Sequence, residues 1–217
     1  YDVDQKNLSH KSTHLVDAYN DVERFSESFP DTLKWSRNLK RSLNRGIREK
    51  WSNANIVRAS YRPFSKRWLF QSPLFVDELG QASRLFPIGK TNIALCFSDP
   101  TSQKPFLVSG VDGTVDLHFV GAAAGTIYTP RYRYTKSGER VDNITDWAVA
   151  QFKANYGSDL VITKEAIFNY CYAVLHDPLY REKYALNLKR EFPRIPFYPD
   201  FDQWVEWGEA LLKLHID

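Results

Sequence analysis

The chain has 217 residues and a formal net charge of +3, and its 43% hydrophobic and 15% aromatic content excludes a disordered tail. No apolar run approaches the roughly 20 residues of a membrane-spanning helix, and no signal-peptide pattern opens the chain, so we expect no membrane partner. Because the sequence contains no methionine, we expect it to be part of a larger polypeptide.

The hydrophobic periodicity and the turn residues predict an α+β fold that is built from three zones. Residues 1–60 are expected to form a helical segment with a basic helix, residues 61–142 an irregular β-rich body, and residues 143–217 a C-terminal helical bundle. We expect the three zones to form one domain, because no low-complexity tract or internal repeat separates them.

Positive charge is concentrated in the first zone and at its end. Between Lys34 and Arg67 there are eleven Lys and Arg residues and a single acid, Glu49, so this window carries about +10 and the remainder of the chain about −7. Clustered cations repel one another unless an anion compensates them, which favours a polyanion as the partner. A second helical pattern precedes this window at Leu15, Ala18 and Val22.

The spacing within the basic window predicts an amphipathic helix over residues 36–50. Four arginines would fall in one narrow arc, and four apolar residues (Trp35, Leu39, Leu43 and Ile47) would pack on the opposite side. We therefore predict phosphate contacts from the cations of this region: Arg37, Arg41, Arg45, Arg48, Lys50, Arg58 and Lys66. Aromatic residues follow closely and suit stacking or groove walls: Trp51, Tyr61, Phe64, Trp68 and Phe70. The alternative is a solvated basic helix or one that docks on an acidic domain.

Short strands are predicted in the middle zone, over residues 67–71, 93–97 and 106–109, with a half-buried strand over 115–120 where apolar and polar residues alternate. A further strand over 128–134 would place tyrosines on one face and Arg131 and Arg133 on the other. These two arginines, with Lys104 and Lys136, are candidates for base or backbone contacts, although a surface strand with solvated arginines explains the pattern equally well.

The third zone contains clear helix boundaries. Thr145 and Thr163 are candidate N-caps, Gly157 is placed to end the first helix, and Asp177-Pro178 is typical of an N-cap followed by proline at the first helical position. Tyr180, Tyr184 and Leu188 are expected to face inward on that helix, and a last helix is predicted over residues 201–215.

Catalytic patterns are missing from the sequence. It has no glycine-rich phosphate loop and no Cys-His ligand pattern. Asp112, Asp116 and His118 form the one acid-histidine cluster, but their context is more typical of a turn that leads into a strand. We predict no catalytic residue and no metal ligand. Cys96 and Cys171 lie in apolar contexts and are interpreted as buried thiols of a reducing compartment.

Two strings resemble motifs of a known family, in the expected order. Residues 61–68 read Tyr-Arg-Pro-Phe-Ser-Lys-Arg-Trp, and residues 177–184 read Asp-Pro-Leu-Tyr-Arg-Glu-Lys-Tyr within a longer helical pattern. Together they resemble the C-terminal specificity domain of Type ISP restriction-modification enzymes. These bacterial enzymes join a nuclease, a helicase-like motor, an adenine methyltransferase and a target recognition domain in one polypeptide.

The resemblance implies sequence-specific recognition of double-stranded DNA in the bacterial cytoplasm, which would position an adenine for methylation and the site for restriction by domains outside this chain. It implies upstream methyltransferase and helicase domains as partners. S-adenosylmethionine, ATP and Mg²⁺ would belong to those domains, so we expect no cofactor within residues 1–217. A docking domain for an acidic partner and a metal-dependent nuclease are the alternative functions.

Overall fold

The computed structural model describes residues 36–76, 82–100, 102, 104–121, 125–157 and 159–216. The helix predicted around Leu15, Ala18 and Val22, and the apolar position Trp35, lie outside the described residues. The described residues form two compact units, one from residues 36–58, 67–76 and 82–83 and the other from residues 59–66 and 84–216. The described chain consists of helices and small β-sheets, so the predicted α+β class is confirmed. The three-zone division stays a prediction.

The basic helix α1 (Arg37–Asn44) is shorter than the sequence pattern predicts. Ser36 caps its start by accepting a hydrogen bond from the Leu39 amide. The helix ends because Gly46 adopts a positive φ of 69°. Gly46 N then donates to Leu43 O at 2.9 Å, and Ile47 N donates to Ser42 O at 3.0 Å, which is the Schellman arrangement of a helix end. The predicted continuation to residue 50 is therefore wrong, and Arg45 and Arg48 do not belong to the helix.

Two strands follow α1, namely β1 (Ile56–Arg62) and β2 (Ser65–Phe70), and they form a two-stranded sheet. The strand predicted over residues 67–71 is thus confirmed. The chain then passes through the short helix α2 (Ala82–Leu85).

The second unit contains a three-stranded antiparallel sheet with β3 (Ala94–Ser98) between β4 (Val108–Val111) and β5 (Thr126–Pro130). Every residue of β3 and of β4 is buried. A separate antiparallel ribbon pairs β6 (Tyr132–Tyr134) with β7 (Arg140–Asp142). The strands predicted over 93–97 and 106–109 are confirmed, with boundaries moved by one or two residues.

The strand predicted over residues 115–120 is wrong. Val115 contributes an isolated bridge, and residues 117–120 form turns. The Asp116 carboxylate accepts a hydrogen bond from the His118 amide at 3.0 Å, while Phe119 N donates to Asp116 O at 3.0 Å. These local bonds replace a strand ladder, because aspartate side chains compete for nearby backbone amides.

Four helices complete the described chain: α3 (Asp146–Tyr156), α4 (Lys164–His176), α5 (Pro178–Lys183) and α6 (Phe201–Ile216). The predicted caps are confirmed, since Thr145 and Thr163 accept bonds from the third residue after each and Gly157 ends α3 with a φ of 93°. Asp177 accepts bonds from the amides of Leu179 and Tyr180.

The main core of the second unit lies where α4 meets α6 and β4. Gly208 of α6 lies directly against the backbone of α4, where an added Cβ would be 1.9 Å from Asn169 O. Large aromatic side chains, among them Tyr170, Tyr172 and Phe201, fill the remaining space. The inward-facing trio predicted for α5 is only partly correct. Tyr180 is buried, but the helix ends at Lys183, Tyr184 is half-buried, and Leu188 is buried from a following turn.

Candidate nucleic-acid interface

The first unit presents an exposed set of cations, which we call the basic surface: Arg37, Arg41, Arg45, Arg48, Lys50 and Arg58. Leu39 and Ser42 are the buried residues of α1, so the arginines of the helix lie on its solvent side. Ile47 was expected to pack, but it is exposed because the helix ends before it. Glu49, the one acid of the window, accepts a hydrogen bond from the hydroxyl of the buried Ser72.

Aromatic rings lie among these cations. The Trp51 and Phe70 rings stack with centroids 4.9 Å apart, and the Arg58 guanidinium lies 5.1 Å from the centroid of the Trp68 ring. Trp51 and Trp68 are nevertheless 47% and 48% exposed. Half-exposed rings that are held by stacking, next to cations, suit contact with a nucleic acid whose sugars and phosphates offer both apolar and anionic groups.

Lys66, a predicted phosphate contact, makes its interactions within the second unit. Its Nζ atom contacts the Asp112 carboxylate at 3.3 Å and donates to the carbonyl of Ile216 at the end of α6. Arg62 pairs with Asp116 at 2.6 Å. The acids of the acid-histidine cluster therefore hold two cations of the Tyr61–Trp68 motif, and no group of three or more metal-ligating side chains occurs in the described part of the chain.

The extended segment considered for residues 128–134 is interrupted at Arg131, because β5 ends at Pro130 and β6 begins at Tyr132. Arg131 lies between them, is 8% exposed and forms an ion pair with Asp142. Its guanidinium is therefore engaged within the protein and does not share a solvent-exposed face with Arg133. Arg133, Lys136 and Lys104 are exposed.

Two residues that the sequence analysis missed shape this region. Asn92 is buried and uses its side chain in four hydrogen bonds, to Leu85 O, Ile93 N and both backbone groups of Tyr132. Arg140 is exposed, and its guanidinium lies 4.3 Å from the centroid of the Tyr132 ring. The Ser137-Gly138 turn was the available signal, since it predicts that Arg140 begins a strand paired with β6.

A part-buried polar network joins α6 to its neighbours. The Tyr172 hydroxyl accepts a hydrogen bond from Gly110 N at 2.7 Å and bonds the His215 ring. Arg181 donates to Leu175 O at 2.6 Å. Burial, with the charge of Arg181 nearby, lowers the pKa of His176 to about 4. These bonds join α4, α5, α6 and β4, so the network has a structural role.

The chain belongs to the family of Type ISP C-terminal specificity domains, whose model matches residues 1–217. No helix in the described ranges is long and apolar enough to cross a membrane. No curated protein matches this chain.

Three solved structures contain domains that are similar to this chain. A chain in the cryo-EM structure of a DrdV–DNA complex is 36% identical in sequence to this chain, with a TM-score of 0.85. The match covers 100% of this chain and 22% of that one. A nuclease-deletion mutant of the Type ISP enzyme LlaGI, in complex with a DNA substrate mimic, is 28% identical with a TM-score of 0.68, covering 85% and 13%. The DNA-bound Type ISP enzyme LlaBIII is 23% identical with a TM-score of 0.76, covering 96% and 14%, which supports the fold alone.

Proposed function

We propose that this chain recognises a short double-stranded DNA target as the specificity domain of a Type ISP restriction-modification enzyme. The observation that carries the proposal is the family match over the whole chain. The DrdV and LlaGI structures are complexes with DNA or a DNA mimic, and this chain corresponds to 22% and 13% of those polypeptides. The remaining domains would supply methyltransferase, motor and nuclease activities in the bacterial cytoplasm. They would also bind S-adenosylmethionine, ATP and Mg²⁺.

The contacts would be divided between two kinds of residues. Cations of the basic surface would hold phosphates and fix the register of the duplex, because phosphate contacts carry affinity without sequence information. Exposed polar and cationic side chains of the second unit, including Arg133 and Lys136, would reach base edges in a groove. The linked methyltransferase would then flip an adenine of the recognised site out of the duplex.

The residues of the two motifs that carry the family resemblance would have a different role. Arg62 and Lys66 of the Tyr61–Trp68 motif are held by Asp116 and Asp112. Tyr180 of the α5 motif is 1% exposed and donates to Arg194 O at 3.0 Å. Side chains that are paired within the protein stabilise the fold. Recognition of one particular DNA sequence instead requires exposed side chains that differ between enzymes.

The test is a selection of duplexes from a random library by the intact polypeptide that carries this chain, followed by sequencing. We expect one short motif to be enriched. The double variant Arg37→Ala/Arg41→Ala should bind all duplexes more weakly, and the slope of log K against log salt should fall by roughly one for each lost contact, without changing the motif. A matched control is Lys189→Ala/Arg190→Ala, which removes the same charge from an exposed turn of the second unit.

If no motif is enriched and affinity does not depend on salt, the chain is not a DNA-recognition domain. Binding that is restricted to an acidic protein domain would instead favour the docking function. Enrichment by the parent protein with an unchanged salt slope in Arg37→Ala/Arg41→Ala would keep the function and remove α1 from the interface.

A further inference from the structure

A cleft of about 380 Å³ opens on the second unit between the loop before β3 and the β6–β7 ribbon. The six residues that line it are Gly89, Lys90, Thr91, Tyr134, Gly138 and Arg140. Its volume lies at the small end of the range of ligand sites in proteins. Neither the predicted base contacts nor the basic surface of the first unit includes these residues.

The walls of the cleft are joined to each other by one exposed and several part-buried hydrogen bonds. The Tyr134 hydroxyl donates to Thr91 O at 2.7 Å, which joins the ribbon to the loop across the cleft. Directly beneath, the Asn92 side chain donates to Leu85 O at 2.7 Å and Tyr132 O at 2.8 Å and accepts from Tyr132 N at 3.1 Å. A ligand that enters would therefore meet a preformed site and would not have to order its walls.

The charge of the cleft is positive. Lys90 and Arg140 are exposed, and they are the two ionisable cations among its six lining residues, which include no acid. The Arg140 guanidinium lies 4.3 Å from the centroid of the Tyr132 ring, which restricts its rotamers. The carboxylate of Asp142, in the same strand, is paired with Arg131 and does not compensate these cations. Two cations that line one open cleft whose lining residues include no acid favour an anionic ligand.

Two glycines line the cleft. Gly89 and Gly138 have φ angles of 76° and 81°, in the left-handed region where other residues are strained. A Cβ added to either would meet no atom within 4 Å, so both glycines border open space. Because neither carries a side chain, a ligand can approach the backbone of both turns closely.

We infer that this cleft binds a phosphodiester of the DNA backbone, with Lys90 and Arg140 as its ligands, as a second phosphate site that is independent of the basic surface. The inference rests on the proposed function and locates part of the contact on the second unit. A duplex is favoured over an acidic peptide because the lining offers cations, a hydroxyl and bare backbone. It has no apolar groove that would accommodate peptide side chains.

The test compares two charge-neutralising double variants in the intact polypeptide. Lys90→Gln/Arg140→Gln should weaken binding to the selected target and to random duplexes alike, by about 20- to 30-fold at 0.15 M salt, since each lost phosphate contact costs about fivefold there. The salt slope should fall by roughly two. The control Lys189→Gln/Arg190→Gln should leave affinity and slope within twofold of the parent. Arg140→Lys, which keeps the charge, should retain most of the DNA affinity that Arg140→Gln loses.

A variant that leaves the charge unchanged tests whether DNA binding needs the cleft itself or only the general positive potential of this surface. Thr91→Phe puts a ring beside the cleft, and we expect it to weaken DNA binding at every salt concentration while the salt slope falls. The unfolding temperature of each variant checks that the fold is intact. If the parent enriches a motif but Lys90→Gln/Arg140→Gln binds like the control, the cleft is not a phosphate site and the proposed function stands. If the parent enriches none, the proposed function itself fails. Loss of polyglutamate binding with unchanged DNA binding would assign the cleft to an acidic protein.

Discussion

The region around the basic surface of the first unit and the core where α4 meets α6 in the second, which we call the α4–α6 layer, use aromatic side chains in opposite ways. In the first unit, Trp51 stacks on Phe70 and the Arg58 guanidinium lies over the Trp68 ring, and both tryptophans remain about half exposed. In the α4–α6 layer, Tyr170 and Tyr172 are 0% exposed, and each hydroxyl is hydrogen bonded. Exposed aromatic area that is held in place is available to a ligand, whereas a buried and satisfied tyrosine stabilises the fold.

The comparison teaches that aromatic content alone does not locate a binding surface. The described chain has rings in both regions, and what distinguishes them is the exposure of the ring itself, since the Trp51 indole N–H is hydrogen bonded within the protein just as the buried tyrosine hydroxyls are. Substitutions in the two regions should therefore separate cleanly into losses of stability and losses of binding.

The largest loss of stability is expected for Tyr170→Ala. Its ring stacks on Phe201 with centroids 5.4 Å apart, and its hydroxyl donates to Pro196 O at 2.8 Å and accepts from Tyr198 N at 2.6 Å. Removing this side chain should lower the free energy of unfolding by about 4–5 kcal/mol, because it leaves a large cavity and also leaves two backbone groups without their hydrogen-bond partner. Tyr170→Phe, which keeps the ring, should cost about 1–3 kcal/mol. Urea unfolding measures both, and a Tyr170→Phe variant as stable as the parent would show that the hydroxyl does not contribute.

Gly208→Ala should follow, with a loss of about 3 kcal/mol. The added methyl group would lie 1.9 Å from Asn169 O, so α6 must move away from the α4 backbone. Ala210→Gly is the matched control on an exposed position of α6 and should cost about 1 kcal/mol through helix propensity alone. A Gly208→Ala variant as stable as the parent would show that the two helices separate without loss.

Acid should weaken the α4–α6 layer. Burial, the charge of Arg181 and nearby His215 lower the pKa of His176 from 6.5 to about 4. The unfolded chain therefore binds a proton that the folded chain resists, and the stability is full above pH 6.5 and is lost as the pH falls toward 4. We expect a loss of about 1–2 kcal/mol between pH 7 and pH 4.5, allowing for partial exposure. In His176→Gln the loss should be smaller; an identical pH profile would assign it to other groups.

A smaller loss is expected for Asp177→Ala, at about 1 kcal/mol. The carboxylate accepts hydrogen bonds from Leu179 N at 3.0 Å and Tyr180 N at 3.2 Å at the start of α5. Asp177→Asn keeps an acceptor and should retain most of the stability. Thermal unfolding of the three proteins provides the measurement, and a loss shared by Asn and Ala would point to charge and not to capping.

The smallest effect on stability is expected in the basic surface. Arg37→Ala/Arg41→Ala should change the free energy of unfolding by less than about 0.5 kcal/mol, because both side chains are exposed on α1. The same variant is expected to lose DNA affinity, which makes it the opposite of Tyr170→Ala. A loss of more than 1 kcal/mol in urea unfolding would mean that these arginines stabilise the first unit.

Local signals in the sequence predicted the helices of the C-terminal zone well. Thr163 and the Asp177-Pro178 pair act through hydrogen bonds to amides two or three residues away, so their effect depends little on the remainder of the fold. The helix over residues 36–50 was overextended because its amphipathic pattern continues past Gly46, although the backbone there has a positive φ. The glycine was the correct stop signal.

The candidate site was less predictable, because its parts are brought together by contacts distant in sequence. Arg131 resembled an exposed cation in a strand, yet it pairs with Asp142 and is buried. Asn92 joins the loop before β3 to β6 across forty residues. Lys66 is held by Asp112, forty-six residues away. The exposure of a cation depends on such partners, which charge patterns in one segment do not contain.

The two thiols were both expected to be buried, but Cys96 is buried and Cys171 is half-buried. Cys96 is 0% exposed in β3, and burial raises its pKa; burial also raises the pKa of Cys171 in α4 to about 12. A thiol that stays protonated does not react with alkylating reagents until its surroundings open. Because the chain has just these two cysteines, the rate of labelling of Cys96 would time the opening of the sheet, with the half-buried Cys171 as an internal comparison, without any engineered probe.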